Sequence, residues 1–150
     1  MSDRLVHGDG KAAEYISRRC KIIFNPRADR CIHRERDGRI LGGFIYSHWT
    51  RESCAMHMAG GDPHWISRYL AWAAFDYPFN QLGCNRVFGH FMETNVVSMG
   101  IARKAGFKPV AYIPGVYRHN VGKIIAVLER DDCRYLKLGE RYSKEEPTDG

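Results

Sequence analysis

The chain has 150 residues, 44% of them hydrophobic and 27% charged, the make-up of one globular domain that builds a core without metal or disulfide staples. Lys and Arg outnumber Asp and Glu by 23 to 17, a formal net charge of +6. Such a field suits nucleic acid, an acidic protein surface or the phosphates of a nucleotide cofactor, but the basic residues are dispersed and no Lys/Arg block points to nucleic acid.

Lys11 to Cys20 has Ala12, Ala13, Ile16 and Cys20 on one side, which predicts a helix. Ile22 to Phe24 reads as a first strand before Asn25-Pro26 breaks the chain. Residues 30–37 and 39–48 flank Asp37-Gly38, a two-residue hairpin signal, and Gly42-Gly43 in the second arm allows a bulge or a close backbone approach. A third strand, Ser53 to Ala59, runs into Gly60-Gly61-Asp62-Pro63, where Asp62 suits a cap and Pro63 a first helical residue. The helix that follows places Trp65, Ile66, Tyr69, Leu70, Ala73, Ala74 and Tyr77 at helical spacing and stops near Pro78. Trp65, Tyr69, Trp72 and Tyr77 therefore read as core packing rather than as a base-stacking platform.

A strand over 86–93 then leads into a helix over 96–105. Asn95 and Ser98 sit three apart at its opening, where side-chain oxygens cap free amides or hold a ligand, and Gly106 stops it. Residues 109–113 and 121–128 form a last strand pair around the loop 114–120. The expected architecture is an α/β domain over residues 1–139 on a mixed, mostly antiparallel sheet flanked by helices, with a charged tail over 140–150. No apolar run nears the roughly 20 residues that cross a bilayer. Residues 1–7 carry no hydrophobic signal core, so a cytoplasmic location is expected.

Cys20, Cys31, Cys54, Cys84 and Cys133 form no C-x-x-C pair, and the histidines are scattered singly. Reduced structural thiols and no metal are the expectation, with Cys54 nearest the candidate site in sequence.

Phe79, Leu82-Gly83, Arg86-Val87, Asn95, Ser98, Lys104 and Gly106-Phe107 follow, in order and at spacing, the pattern F-x-x-L-G-x-x-R-V … N-x-x-S-x-x-x-x-x-K-x-G-F. On these residues, about the middle third, the chain resembles the GNAT acyltransferase superfamily and within it the ribosomal-protein N-acetyltransferase branch. The resemblance implies a central parallel strand pair that splays apart to admit acetyl-CoA. It implies direct transfer of the acetyl group to a primary amine of a protein, peptide or small molecule; a monomer or homodimer is expected, the last strand pair offering a dimer edge. It assigns cofactor contacts to Met58 and Ala59 on the splayed strand and to the amides of about His64, Trp65, Ile66, Ser67 and Arg68. Asn95, Ser98 and Lys104 complete that set on the next helix. A helix start attracts phosphate because its amides are unpaired and its dipole is positive there.

The family's phosphate loop reads Q/R-x-x-G-x-G/A, and this chain has Asp62, Trp65 and Ser67 at the marked positions. A rerouted loop is the favoured reading; a catalytically silent domain that binds a protein or nucleic acid is the alternative. Ser98 matches the serine that the branch places near the thioester sulfur, and it equally suits a helix cap. Ala102 stands where many relatives have a tyrosine. His57, on the splayed strand, has the ring chemistry of a general base, with a limb near neutrality. His90 and Glu93 are its rivals. Tyr117 and His119 fall in a loop that borders the acceptor pocket in the family.

Overall fold

Seven strands build one sheet in the order β1-β2-β3-β4-β5-β7-β6, in a computed structural model that describes residues 3–8, 10–61 and 64–138. The strands are β1 Asp3–His7, β2 Arg30–Arg36, β3 Arg39–Ser47, β4 Ser53–Gly60, β5 Arg86–Met92, β6 Lys108–Arg118 and β7 Val121–Glu129. The helices are α1 Gly10–Cys20, α2 Arg68–Asp76 and α3 Val96–Ala105. All neighbouring strands run antiparallel except β4 and β5. The roles read for Asp62 and Pro63, and the tail over 140–150, lie outside the described residues.

The β2–β3 hairpin forms as its turn residues require. Asp37 has φ 51° and Gly38 φ 80°, two left-handed residues that match the right-handed twist of the flanking strands. Gly42 and Gly43 answer both readings made of them. The ladder shifts register between Arg34 and Glu35, opposite Gly42 and Ile40. A Cβ at Gly43 would stand 2.7 Å from Ile16 Cδ1, and one at Gly42 would stand 2.5 Å from the Trp65 ring. The two glycines thus let α1 press on one face and Trp65 on the other.

Those faces carry separate cores. Ala12, Ala13 and Ile16 of α1 pack with Cys31 and Ile45, while α2 and α3 cover Phe44, Tyr46, Cys54, Met56 and Val87. Tyr46 is wholly buried, and its hydroxyl donates to the Ala74 carbonyl at 2.6 Å, tying β3 to α2. Tyr46→Phe should cost about 1–3 kcal/mol, because the carbonyl is left buried without that donor. A urea midpoint equal to that of the parent would contradict this.

Three expectations need correction. The first strand is Asp3–His7, paired along β2. Residues 22–24 form no strand; Lys21, at φ 60°, turns the chain out of α1. The second helix begins at Arg68, not near Pro63, because the Ser67 hydroxyl accepts from the Leu70 amide at 3.0 Å and caps it there. At its other end α2 widens into a π-type turn over Tyr77–Gln81. Finally, the segment read as the loop 114–120 is mostly strand. β6 runs to Arg118, and its residues 114–117 bulge between the pairs Ile113–Lys123 and Arg118–Val121.

Candidate active site

β4 and β5 are paired from Ser53–Arg86 to Met56–Gly89 and no further. Beyond that point each holds only to its outer neighbour. Residues 57–60 stay paired to β3, and residues 90–92 stay paired to β7. Two ribbons with satisfied outer edges and facing inner edges therefore diverge, and a cavity of about 350 Å³ opens where they part.

His57, Met58 and Ala59 of β4 and His90 and Met92 of β5 line this cavity, with Asn95 and Ser98 at the start of α3. Arg19 and Cys20 of α1, Trp65 and Tyr117 also border it. Asn95 is the cap of α3: its Oδ1 accepts from the Ser98 amide at 3.2 Å. Ser98 is thus the capped residue rather than the cap, and it is half-buried on the cavity wall. Gly106, at φ 119°, ends α3. Tyr117 reaches the rim from the β6 bulge, with the Lys123 ammonium 5.6 Å from its ring centroid. The Cys20 thiol donates to the Met58 carbonyl at 3.3 Å. No reading of the sequence assigned Cys20 or Arg19 to the site. Their signal was the last turn of an amphipathic helix whose target strand was unknown.

The residues assigned to a phosphate loop divide. Trp65 turns inward, 8% exposed, over Gly60, where a Cβ would stand 2.3 Å from its ring. A bulky residue therefore fits this loop by packing over a glycine, with its ring bordering the cavity. The carbonyls of His64 and Trp65 accept from Arg34 Nη1 at 2.8 and 3.1 Å, which anchors the segment to β2. Ser67 caps α2, and Ile66 packs against the core. Neither they nor His64 and Arg68 line the cavity. Lys104 is exposed at the far end of α3, roughly 12–14 Å along the axis from Asn95 at 1.5 Å per residue. Of the rival bases, Glu93 is engaged elsewhere, accepting from the Gly122 amide at 2.7 Å and the Tyr112 hydroxyl at 3.2 Å. His119 lies in the exposed β6–β7 turn, and the Cys54 thiol is fully buried, outside the cavity lining.

The rings of His57 and His90 meet edge to face with centroids 5.7 Å apart. Burial holds the His57 ring down to about 4, aided by repulsion from His90, His48 and Lys123. Burial does the same to His90, with Lys123 and His48 contributing. An unfolded histidine titrates near about 6.5. Between about 6.5 and about 4 the unfolded chain therefore binds more protons than the folded one. The contribution of this pair is fully present above that window and is lost as pH falls through it. Urea midpoints should drop from its upper to its lower end, and drop less when both rings are replaced by glutamine; parallel drops would contradict this.

Among the described residues, no group of three or more His, Cys, Asp or Glu is placed to hold a metal ion. No helix there is long and apolar enough to cross a membrane.

Neither the protein-family models nor the curated proteins contain a match to the chain. Solved structures do match. YncA of Salmonella typhimurium, determined with its cofactor acetyl-CoA, superposes with a TM-score of 0.68 at 14% identity, over 89% of this chain and 97% of its own. SpeG of Vibrio cholerae, a spermidine/spermine N-acetyltransferase, gives 0.67 at 13% identity, over 90% and 98%. A Desulfovibrio desulfuricans protein described as a GNAT-family acetyltransferase gives 0.64 at 16% identity, over 85% and 99%. The fold is that of the GNAT acetyltransferases: a mixed sheet, one parallel pair at its centre, and helices on both faces.

Proposed function

We propose that this chain is an N-acetyltransferase that moves the acetyl group of acetyl-CoA directly to a primary amine. The observation that carries the reading is the parting of β4 and β5 beyond Met56 and Gly89, which opens a cavity at a helix start. The donor set fits the cofactor. The inner backbone edges of 57–60 and 90–92 suit the amides of a pantetheine arm, and Asn95 and Ser98 lie beside them. The amides at the start of α2 suit phosphate, and Trp65 turns inward over Gly60 rather than outward.

In the transfer, the amine gives up a proton, its nitrogen bonds the thioester carbonyl carbon, and the carbon–sulfur bond breaks. His57 is the base on this reading, and Met58 supplies a backbone amide to the carbonyl oxygen. Ser98 passes its hydroxyl proton to the leaving thiolate and takes up in its place the second proton that the nitrogen sheds as the amide forms, and Tyr117 borders the acceptor. Among the described residues no carboxylate lines the cavity, and Arg19 adds a positive charge. That favours a peptide or protein N-terminus, or a small amine without extra cationic groups, over a polyamine.

Titration calorimetry with acetyl-CoA should give saturable heat in the micromolar range. No heat at millimolar ligand would return the silent-domain reading. Thiol release should then be compared for spermidine, a peptide with a free N-terminus, and α-blocked lysine. Spermidine emerging as the best acceptor would overturn the charge argument. Ser98→Ala should lower kcat roughly 10²-fold or more while acetyl-CoA affinity changes little. Unaltered turnover would remove Ser98 from the proton path.

A further inference from the structure

A hydrogen-bonded chain runs from His57 in the cavity to the surface through two residues that the reading above does not use. His57 lines the cavity, and its Nε2 lies 3.1 Å from the Ser47 hydroxyl at the end of β3. The same hydroxyl lies 2.8 Å from His48 Nδ1. His57 and Ser47 are each 6% exposed, whereas His48 stands in solvent. His48 has φ 54°, a left-handed backbone that few side chains adopt without cost and that recurs at functional positions. We propose that Ser47 and His48 form a proton relay that carries to solvent, through His57, the proton lost by the acceptor amine.

The proposal rests on the acyl-transfer reading and adds two residues to it. A serine hydroxyl has one proton, so between two rings it accepts from one and donates to the other. If Ser47 donates to His57 Nε2, the ring proton of neutral His57 sits on Nδ1 and no lone pair remains for the cavity. If Ser47 accepts from His57 Nε2–H, the Nδ1 lone pair is available. The Ser47 proton then points to His48 Nδ1, and His48 keeps its own proton on Nε2. Only this second arrangement both equips His57 as a base and directs the chain outward.

The hop balances. The ammonium proton bonds to His57 Nδ1, and the Nε2 proton passes to Ser47 Oγ. The former Ser47 proton bonds to His48 Nδ1, and the His48 Nε2 proton passes to water. One proton enters and one leaves, both rings end neutral, and the amine keeps the electron pair with which it attacks. After product leaves, His57 Nδ1 releases its proton to water in the cavity. The reverse hop, fed by a solvent proton at His48 Nε2, restores the starting tautomers.

The surroundings explain why export matters. His90 of β5, Lys123 of β7 and His48 all oppose a positive charge on His57. Arg19 and Cys20 of α1 and Tyr117 of β6 line the same cavity, and among the described residues no carboxylate does. An imidazolium stranded there would lack a counter-ion. Passing the charge on as it arrives avoids that state.

Two measurements test the relay. Imidazole nitrogen NMR of the unliganded protein should show neutral His57 protonated at Nε2; a proton on Nδ1 would overturn the proposal without any substrate. His48→Asn keeps a residue that tolerates the left-handed backbone and can accept from Ser47, but it cannot pass a proton on. With the best amine of the panel, it should lower kcat roughly tenfold, leave the KM for acetyl-CoA unchanged, and recover when free imidazole is added. Ser47→Ala should lose kcat likewise and Ser47→Thr regain it, since threonine restores the hydroxyl. An unaltered kcat in His48→Asn would leave Ser47 as a brace for the ring and sink the relay. Acetyl-CoA titration of the parent protein reads the acyl-transfer proposal separately.

Discussion

Substituting His57→Ala should lower kcat/KM for acyl transfer by about 10²–10⁴-fold, the range that a positioned acid–base group supplies. Acetyl-CoA affinity should hold, because the cofactor contacts proposed for β4 are backbone groups of Met58 and Ala59. The pH profile separates this role from general disruption. The ring is held down to about 4 by burial and by neighbouring positive charge. A base must be unprotonated to act, so its limb in kcat/KM should rise through about that pH and be flat above it. The neutral limb expected of an ordinary histidine is thus displaced to acid. His90→Ala should be milder, because the ring remaining at position 57 still lines the cavity and still bonds Ser47. If His90→Ala proves the more damaging, the base lies on β5 and the relay loses its entry point.

The largest loss of stability should follow Phe79→Ala. Phe79 has no exposed surface and belongs to the core that joins α2, β4, β5 and β7. The Arg130 guanidinium lies 5.6 Å from its ring centroid and donates to the carbonyls of Phe79 and Cys84. Removing the ring empties a pocket whose roof is pinned by those bonds, so little collapse can refill it. The cost should be about 3–5 kcal/mol, lowering Tm on the order of 10 °C. Phe79→Leu should lose much less. A Phe79→Ala variant within about 0.5 kcal/mol of the parent would mean that the turn over Tyr77–Gln81 repacks freely.

Much of the frame was legible where local chemistry decides. Asp37-Gly38 can supply two left-handed residues, so it names its own turn. Asn95 and Gly106 likewise set both ends of α3 by bonds to residues within four positions. Asn95, Ser98, His57, Met58, Ala59, Trp65 and Tyr117 were read as site residues and do meet at one cavity. His64, Ile66, Ser67, Arg68 and Lys104 do not line it. Their placement assumed that α2 starts before Trp65. Helical spacing continues through Trp65 and Ile66, but Arg34, some thirty positions away, holds the carbonyls of His64 and Trp65. The cap then falls to Ser67.

Periodicity, turn residues and caps depend on neighbours a few positions apart, and from them the sequence alone determined α1, the order of the elements from the hairpin onward, the hairpin itself and α3. Tertiary structure alone decided that Asp3–His7 is a strand, since its partners lie in β2. It also decided how far β4 and β5 stay paired, and that Ser47 and His48 reach His57. Each of those outcomes depends on a hydrogen bond made, or not made, between different strands. Sequence spacing carries no record of where such a ladder stops.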